Sequence, residues 1–176
     1  MQRLNREQIL QALDALATQL AAASQHCELF LVGGAALVLL YGARKATKDV
    51  DAFASSPTMN RSLRVAAASV AAIYGLPEDW LNDAAKGFVH GLAPGAVVLD
   101  KPGLRARTLA PHQLLAMKLS AWRDDVDVDD ARLLLEHVPG TREETWAQVE
   151  PHVVPGRELK ARLAFDDVWE KKHGPA

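Results

Sequence analysis

The chain has 176 residues, a length that suits one compact domain, with 20 Lys+Arg against 22 Asp+Glu for a net charge of −2. That balance excludes a bulk basic field for nucleic acid, and 49% hydrophobic with 24% charged residues excludes global disorder. A single cysteine, Cys27, excludes an internal disulfide framework and a cysteine-based zinc cluster. The opening MQRLNREQIL is polar and charged, unlike a signal or transit peptide. The longest apolar stretch, Leu29 to Tyr41, is broken by glycines and falls short of the ~20 residues that span a bilayer. The expectation is a cytoplasmic protein in a reducing compartment.

In chain order, Asn5 with Gln8 makes a capping-box opening, and Ile9, Leu13, Leu16 and Leu20 recur at helical spacing, which predicts a helix over 5–23. Leu29-Phe30-Leu31-Val32 reads as a buried strand ending in Gly33-Gly34, followed by a short helix from Ala35 to Tyr41 with Gly42 after its last turn. A polar connection, Ala43 to Lys48, leads to Asp49-Val50-Asp51-Ala52-Phe53, an alternating strand closed by Ser55-Ser56-Pro57. Asn60 caps an alanine-rich helix through Tyr74, with Gly75 beyond it, and Pro77 to Leu81 opens another short helix. Val97 to Leu99 and Leu104 to Leu109 form a hairpin around Lys101-Pro102-Gly103.

The rest is helical. Pro111 starts a helix carrying Leu114, Leu115 and Leu119, and Val128 to Val138 repeats the pattern until Pro139-Gly140. Thr141 with Glu144 is a second capping box, and 157–172 is a last amphipathic helix built on Leu159, Leu163, Val168 and Trp169. The fold class is α+β, a small mixed sheet flanked by helices, in one domain over 1–176 with a core over about 25–110 and a helical part over about 111–176.

One constellation carries chemistry. Asp49 and Asp51 are two apart on a strand, so both leave the same face about 6.6 Å apart at Cα, while Val50 points into the core. Hydrophobic packing asks for no such pair, whereas Mg²⁺ takes one or two carboxylates plus substrate phosphate oxygens. Upstream, a strand running through Gly33-Gly34 into a helix brings backbone N–H groups to an anion. Carboxylates for a metal beside an anion-binding turn suit nucleoside triphosphate chemistry.

The stretch from Val32 to Phe53, V-G-G-A-A-L-(x4)-G-A-R-K-A-T-K-D-V-D-A-F, resembles the nucleotidyltransferase superfamily, whose mark is Gly-Gly or Gly-Ser, a short helix, then Asp-x-Asp. More narrowly it is similar to the small bacterial branch that includes the AbiEii-type toxins of toxin–antitoxin systems. There Arg-x-x-Thr often precedes the Asp-x-Asp, as Arg44 and Thr47 do here, and a later Lys-Leu-x-Ala-x-Arg stretch corresponds to Lys118 through Arg123. The resemblance covers roughly residues 28–136 by motif placement.

It implies that Asp49 and Asp51 hold Mg²⁺, that Gly33 and Gly34 face phosphate with Arg44 and Thr47 in support, and that Lys118 contacts the triphosphate. It further implies an NTP substrate, an RNA or protein acceptor, and a separately encoded antitoxin. The superfamily often supplies a third carboxylate from a neighbouring strand. In Leu104 to Leu109, the strand expected to carry it, Arg105 and Arg107 alternate instead, which leaves Asp100 or Asp127 as candidates. The alternative implied by that departure is a non-catalytic nucleotide-sensing or partner-binding protein on the same fold.

Other features read as structural. The acidic run 123–130 lacks the glycine and closing glutamate of a calcium loop, and the six histidines show no ligand spacing. Lys118 sits on an apolar helix, from which it can also snorkel to water. Neither the oligomeric state nor the particular NTP is legible in the sequence.

Overall fold

The computed structural model describes residues 3–42, 44–56, 60–123 and 125–174. It divides into two compact units, one of Met1–Lys86 with Pro94–Thr108, the other of Gly87–Ala93 with Leu109–Ala176.

The first unit is a mixed sheet backed by two long helices. Strand β1 (Leu4–Asn5) runs into helix α1 (Arg6–Ala22), where the Asn5 side chain accepts from the Gln8 N–H and the Gln8 side chain accepts in return from the Asn5 N–H. That reciprocal cap satisfies two of the donors a helix start leaves open. Ile9, Leu13, Leu16 and Leu20 are buried, at the spacing the sequence predicts. Strand β2 (Cys27–Leu31) leads into helix α2 (Gly33–Leu40), which begins at the first glycine, two residues before the expected start. Strand β3 (Ala46–Thr47) pairs with β1 inside the segment read as a plain connection.

Strand β4 (Val50–Ala54) follows; Asp49 stands immediately before its first paired residue. Helix α3 (Asn60–Tyr74) packs on α1, and the cap assigned to the Asn60 side chain, like Pro57, lies outside what is described. The helix expected at Pro77 to Leu81 is absent. Instead Trp80 is fully buried, its indole donates to the Ala67 carbonyl, and strand β5 (Leu81–Asn82) lies parallel to β4. Burying a large aromatic and completing a backbone ladder here outweighs the local helical tendency. Strands β6 (Pro94–Lys101) and β7 (Leu104–Leu109) complete the five-stranded order β5-β4-β2-β7-β6, with β2 antiparallel to β4 and parallel to β7.

Alternation along β4 decides what each face does. Val50 and Ala52 are buried towards α1 and α3, whereas Asp49, Asp51 and Phe53 occupy the other face, where Phe53 stacks on Phe30.

The second unit is helical: α4 (Pro111–Ala121), α5 (Asp125–Leu135), α6 (Arg142–Val149) and α7 (Glu158–His173). Buried Gln113 on α4 accepts from the Ala93 N–H and donates to the carbonyls of His90 and Gly91, tying residues 87–93 to this unit. The Thr141–Glu144 capping box forms as expected. Helix α7 corrects the sequence reading: Leu159 and Leu163 are 75% and 61% exposed, while Ala161, Ala164, Phe165 and Val168 are buried. Two apolar stripes compete on this helix, and the one bearing Phe165 wins by packing its ring against Trp146 at 5.3 Å between centroids.

Candidate active site

The glycine turn and the carboxylates meet in the first unit. Gly33 has φ +61°, a left-handed conformation open to glycine, and a β-carbon there would stand 2.9 Å from Asp51 Oδ2. Gly34 is as confined: its β-carbon would lie 2.6 Å from Thr47 Oγ1 and 3.5 Å from an Arg44 guanidinium nitrogen. Three residues from beyond helix α2 thus converge on the two glycines in space: Arg44 and Thr47 at Gly34, Asp51 at Gly33. The register holds this together, because the Val32 N–H donates to the Asp51 carbonyl at 2.9 Å across β2 and β4.

Helix α2 starts at this point with no side-chain cap. The positive end of its dipole therefore lies at the turn, where an anion is favoured. The site joins that anion-seeking end to two half-buried carboxylates. A hard oxygen-seeking dication is the group that reconciles them, and the donor set suits Mg²⁺ better than zinc, which prefers nitrogen and sulfur. Among the described residues no group of three or more His, Cys, Asp or Glu side chains could hold a metal, so the remaining ligands would have to be water and phosphate.

The place beside the carboxylates belongs to a residue that sequence reading missed. In β5, Asn82 stands opposite Asp51, and its Nδ2 donates to Asp49 Oδ2 at 3.2 Å. The amide is oriented from both ends, since Nδ2 also donates to the Asp79 carbonyl and Oδ1 accepts from the Ala84 N–H at 3.0 Å. A two-residue strand has no period to detect; the available signal was the aromatic–apolar pair Trp80-Leu81 directly before a polar residue.

This neighbour corrects the third-carboxylate reading. Strand β2 stands between β4 and β7, so Arg105 and Arg107 do not flank the aspartates. Arg107 donates to the Gly95 carbonyl and pairs with Glu28, and Arg105 pairs with Asp100 on the far edge strand β6. Asp100 is thus three strands from β4.

Lys118 and Asp127 lie in the second unit and bind each other. The Lys118 ammonium meets Asp127 Oδ1 at 2.9 Å and Asp130 Oδ2 at 2.7 Å, with these carboxylates 1% and 4% exposed. Arg123 adds a side-chain and a backbone N–H to Asp127 Oδ2, each at 3.0 Å. Burial alone would raise the Asp127 pKa, but the hydrogen bonds from Arg123 and Lys118, with the Lys118 charge, bring it down to about 2. A depressed carboxylate stabilises the fold fully above its unfolded value near 3.8 and loses that contribution as pH falls towards 2. Lys118→Met takes the ammonium away from two buried aspartates, while Asp127 keeps its contacts to Arg123. It should cost about 3–5 kcal/mol in urea unfolding at neutral pH and less near pH 2, where the wild type has surrendered the same interaction. A purely phosphate-binding lysine would leave stability unchanged and weaken nucleotide binding instead.

Comparison with family models matches residues 8–136 to a family described as nucleotidyltransferase of unknown function (DUF6036). Comparisons with curated proteins and with solved structures gave no match. The matched span takes in the glycine turn, both aspartates, Asn82 and the Lys118 cluster.

Proposed function

The chain belongs to this nucleotidyltransferase family, and from that premise we propose that it transfers a nucleoside monophosphate from an NTP to a hydroxyl on an RNA or protein acceptor, with Mg²⁺ held by Asp49 and Asp51. The observation that carries the reading is the packing of Gly33 against Asp51, which sets an anion-seeking helix start directly beside a carboxylate pair. When bound, Mg²⁺ would neutralise the polyphosphate and orient the leaving pyrophosphate. Asp49 and Asp51 supply its protein ligands. Backbone N–H groups at Gly33 and Gly34 bind phosphate, with Arg44 and Thr47 beside them. Asn82 holds Asp49 through one oxygen and leaves the other to the metal. As the acceptor oxygen bonds to the α-phosphorus, the bond to pyrophosphate breaks and the hydroxyl proton leaves to solvent. Two of the three ammonium donors of Lys118 are engaged by Asp127 and Asp130, and its role as a triphosphate contact stays part of this proposal.

Incubating the protein with each α-labelled NTP, total RNA and protein extract, with and without Mg²⁺, tests this reading. Mg²⁺-dependent labelling of one fraction is the expected result, and the labelled fraction identifies the acceptor class. Growth arrest on expression, relieved by a neighbouring open reading frame, would place the chain as the toxin of a toxin–antitoxin pair.

A second reading rests on Asn82. An amide cannot take a proton from a hydroxyl as a carboxylate can, which favours a protein that binds nucleotide without turning it over. NTP binding without labelling of any fraction would select it.

A further inference from the structure

A second feature of the first unit borders the candidate active site, with which it shares Asn82. Strand β4 has five residues, but β5 pairs only with Val50 and Asp51. Beyond them the outer edge of β4 has no strand partner among the described residues. The hydrogen-bond pattern fixes which groups face that edge. Asp51 accepts from Val32 and Ser55 donates to Glu28, so odd-numbered residues turn towards β2; Val50 donates to the Trp80 carbonyl, so even-numbered ones turn outward. The N–H and C=O of Ala54 therefore face away from the sheet.

They stand beside a pocket. A cavity of about 70 Å³ is lined by Ala52, Phe53 and Ala54 of β4, by Leu63 and Ala67 of α3, and by Leu81 and Asn82 of β5. Its mouth carries the exposed cations Arg64 and Lys86 against one acid, Asp83. An open strand edge supplies main-chain donors and acceptors, the adjoining pocket takes alternate side chains, and the charge sets which sequences are welcome.

We propose that this edge receives an extended peptide segment of another protein, adding a short strand beside Ala52–Ala54, with one apolar side chain in the Leu63–Ala67 pocket and flanking carboxylates on Arg64 and Lys86. The Ala54 N–H and C=O pair with the incoming backbone.

The test titrates the full, ¹⁵N-labelled chain with acetyl-Thr-Glu-Val-Glu-Thr-amide and with its lysine counterpart, acetyl-Thr-Lys-Val-Lys-Thr-amide. The expected result is saturable shifts in the Ala52 to Ser55 amides, with the acidic peptide binding at least about tenfold tighter. Arg64→Glu with Lys86→Glu should reverse that preference, and both positions are exposed, so the fold is not at stake. Ala54→Pro removes the outward N–H and should abolish binding of either peptide; proline is tolerated on an edge strand. Should that variant unfold, the charge reversal decides alone. Absence of saturable shifts at millimolar peptide, equal binding of the two peptides, or shifts that depend on protein concentration without peptide (a second copy on the edge) would each overturn the proposal.

Discussion

Gly33→Ala should lower nucleotidyl transfer about a hundredfold, because its methyl group and Asp51 Oδ2 would need the same space. At 2.9 Å the contact is closer than side-chain carbons come to oxygen, so Asp51 or the turn must move. The left-handed φ of +61° adds about 1–2 kcal/mol of backbone strain. Strain alone does not predict lost activity, and the chain holds its own control. Gly75 has φ +63° with nothing within 4 Å of its would-be β-carbon. Gly75→Ala therefore carries the same strain without touching the site, and should lower the unfolding midpoint while leaving transfer intact. Equal activity losses in the two variants would mean that the Gly33–Asp51 contact has no bearing on chemistry.

Gly103→Ala carries the largest expected cost in stability. The turn between β6 and β7 lies directly on α1, and a β-carbon at Gly103 would collide with the Ala17 carbonyl and the Ala21 N–H. Neither obstacle is a flexible side-chain end; both are helix backbone, and relieving the clash means lifting the hairpin off α1. The Gly103 carbonyl also accepts from the Cys27 N–H at 3.1 Å, so the displacement reaches the first residue of β2. We expect a loss of about 3 kcal/mol or more in urea unfolding. A change under about 0.5 kcal/mol, the range usual for surface substitutions, would contradict the close approach.

Features written in local sequence were legible. Capping boxes at Asn5–Gln8 and Thr141–Glu144 involve residues three apart, so the sequence contains both partners of each bond. The strand, the Gly33-Gly34 turn and the Asp-x-Asp strand are likewise short-range patterns, and they lie inside the span matched to the family that the chain joins. What escaped depends on pairing across the chain. Strands β1, β3 and β5 have two residues each, too few to show alternation, and exist because β1 and β3 find each other and β5 finds β4. Asn82 became a site residue through that last pairing alone. The α7 face was misread because Leu159 and Leu163 look as apolar as Ala161 and Phe165; the choice lay with Trp146, on another helix. Lys118 was legible as a lysine on an apolar helix, able to snorkel to water or meet phosphate, but its two aspartates, at sequence distances of nine and twelve, were visible only as an acidic run.

The opening balance of charge acquires a location. A chain of net charge −2 offers no broad basic surface, yet Arg44 and an uncapped helix start gather beside the glycine turn, next to two carboxylates that call for a dication. The proposed function rests polyphosphate affinity on recruited Mg²⁺ rather than on bulk charge. Calorimetric titration of each NTP into wild type and into the Asp49→Asn/Asp51→Asn double variant, with and without Mg²⁺, tests this most directly. The account predicts that at least one NTP binds the wild type only when Mg²⁺ is present, and that the double variant, with an unchanged unfolding midpoint, binds it at least about a hundredfold more weakly, a loss of about 2.8 kcal/mol. Mg²⁺-dependent binding of equal strength in the double variant would contradict it.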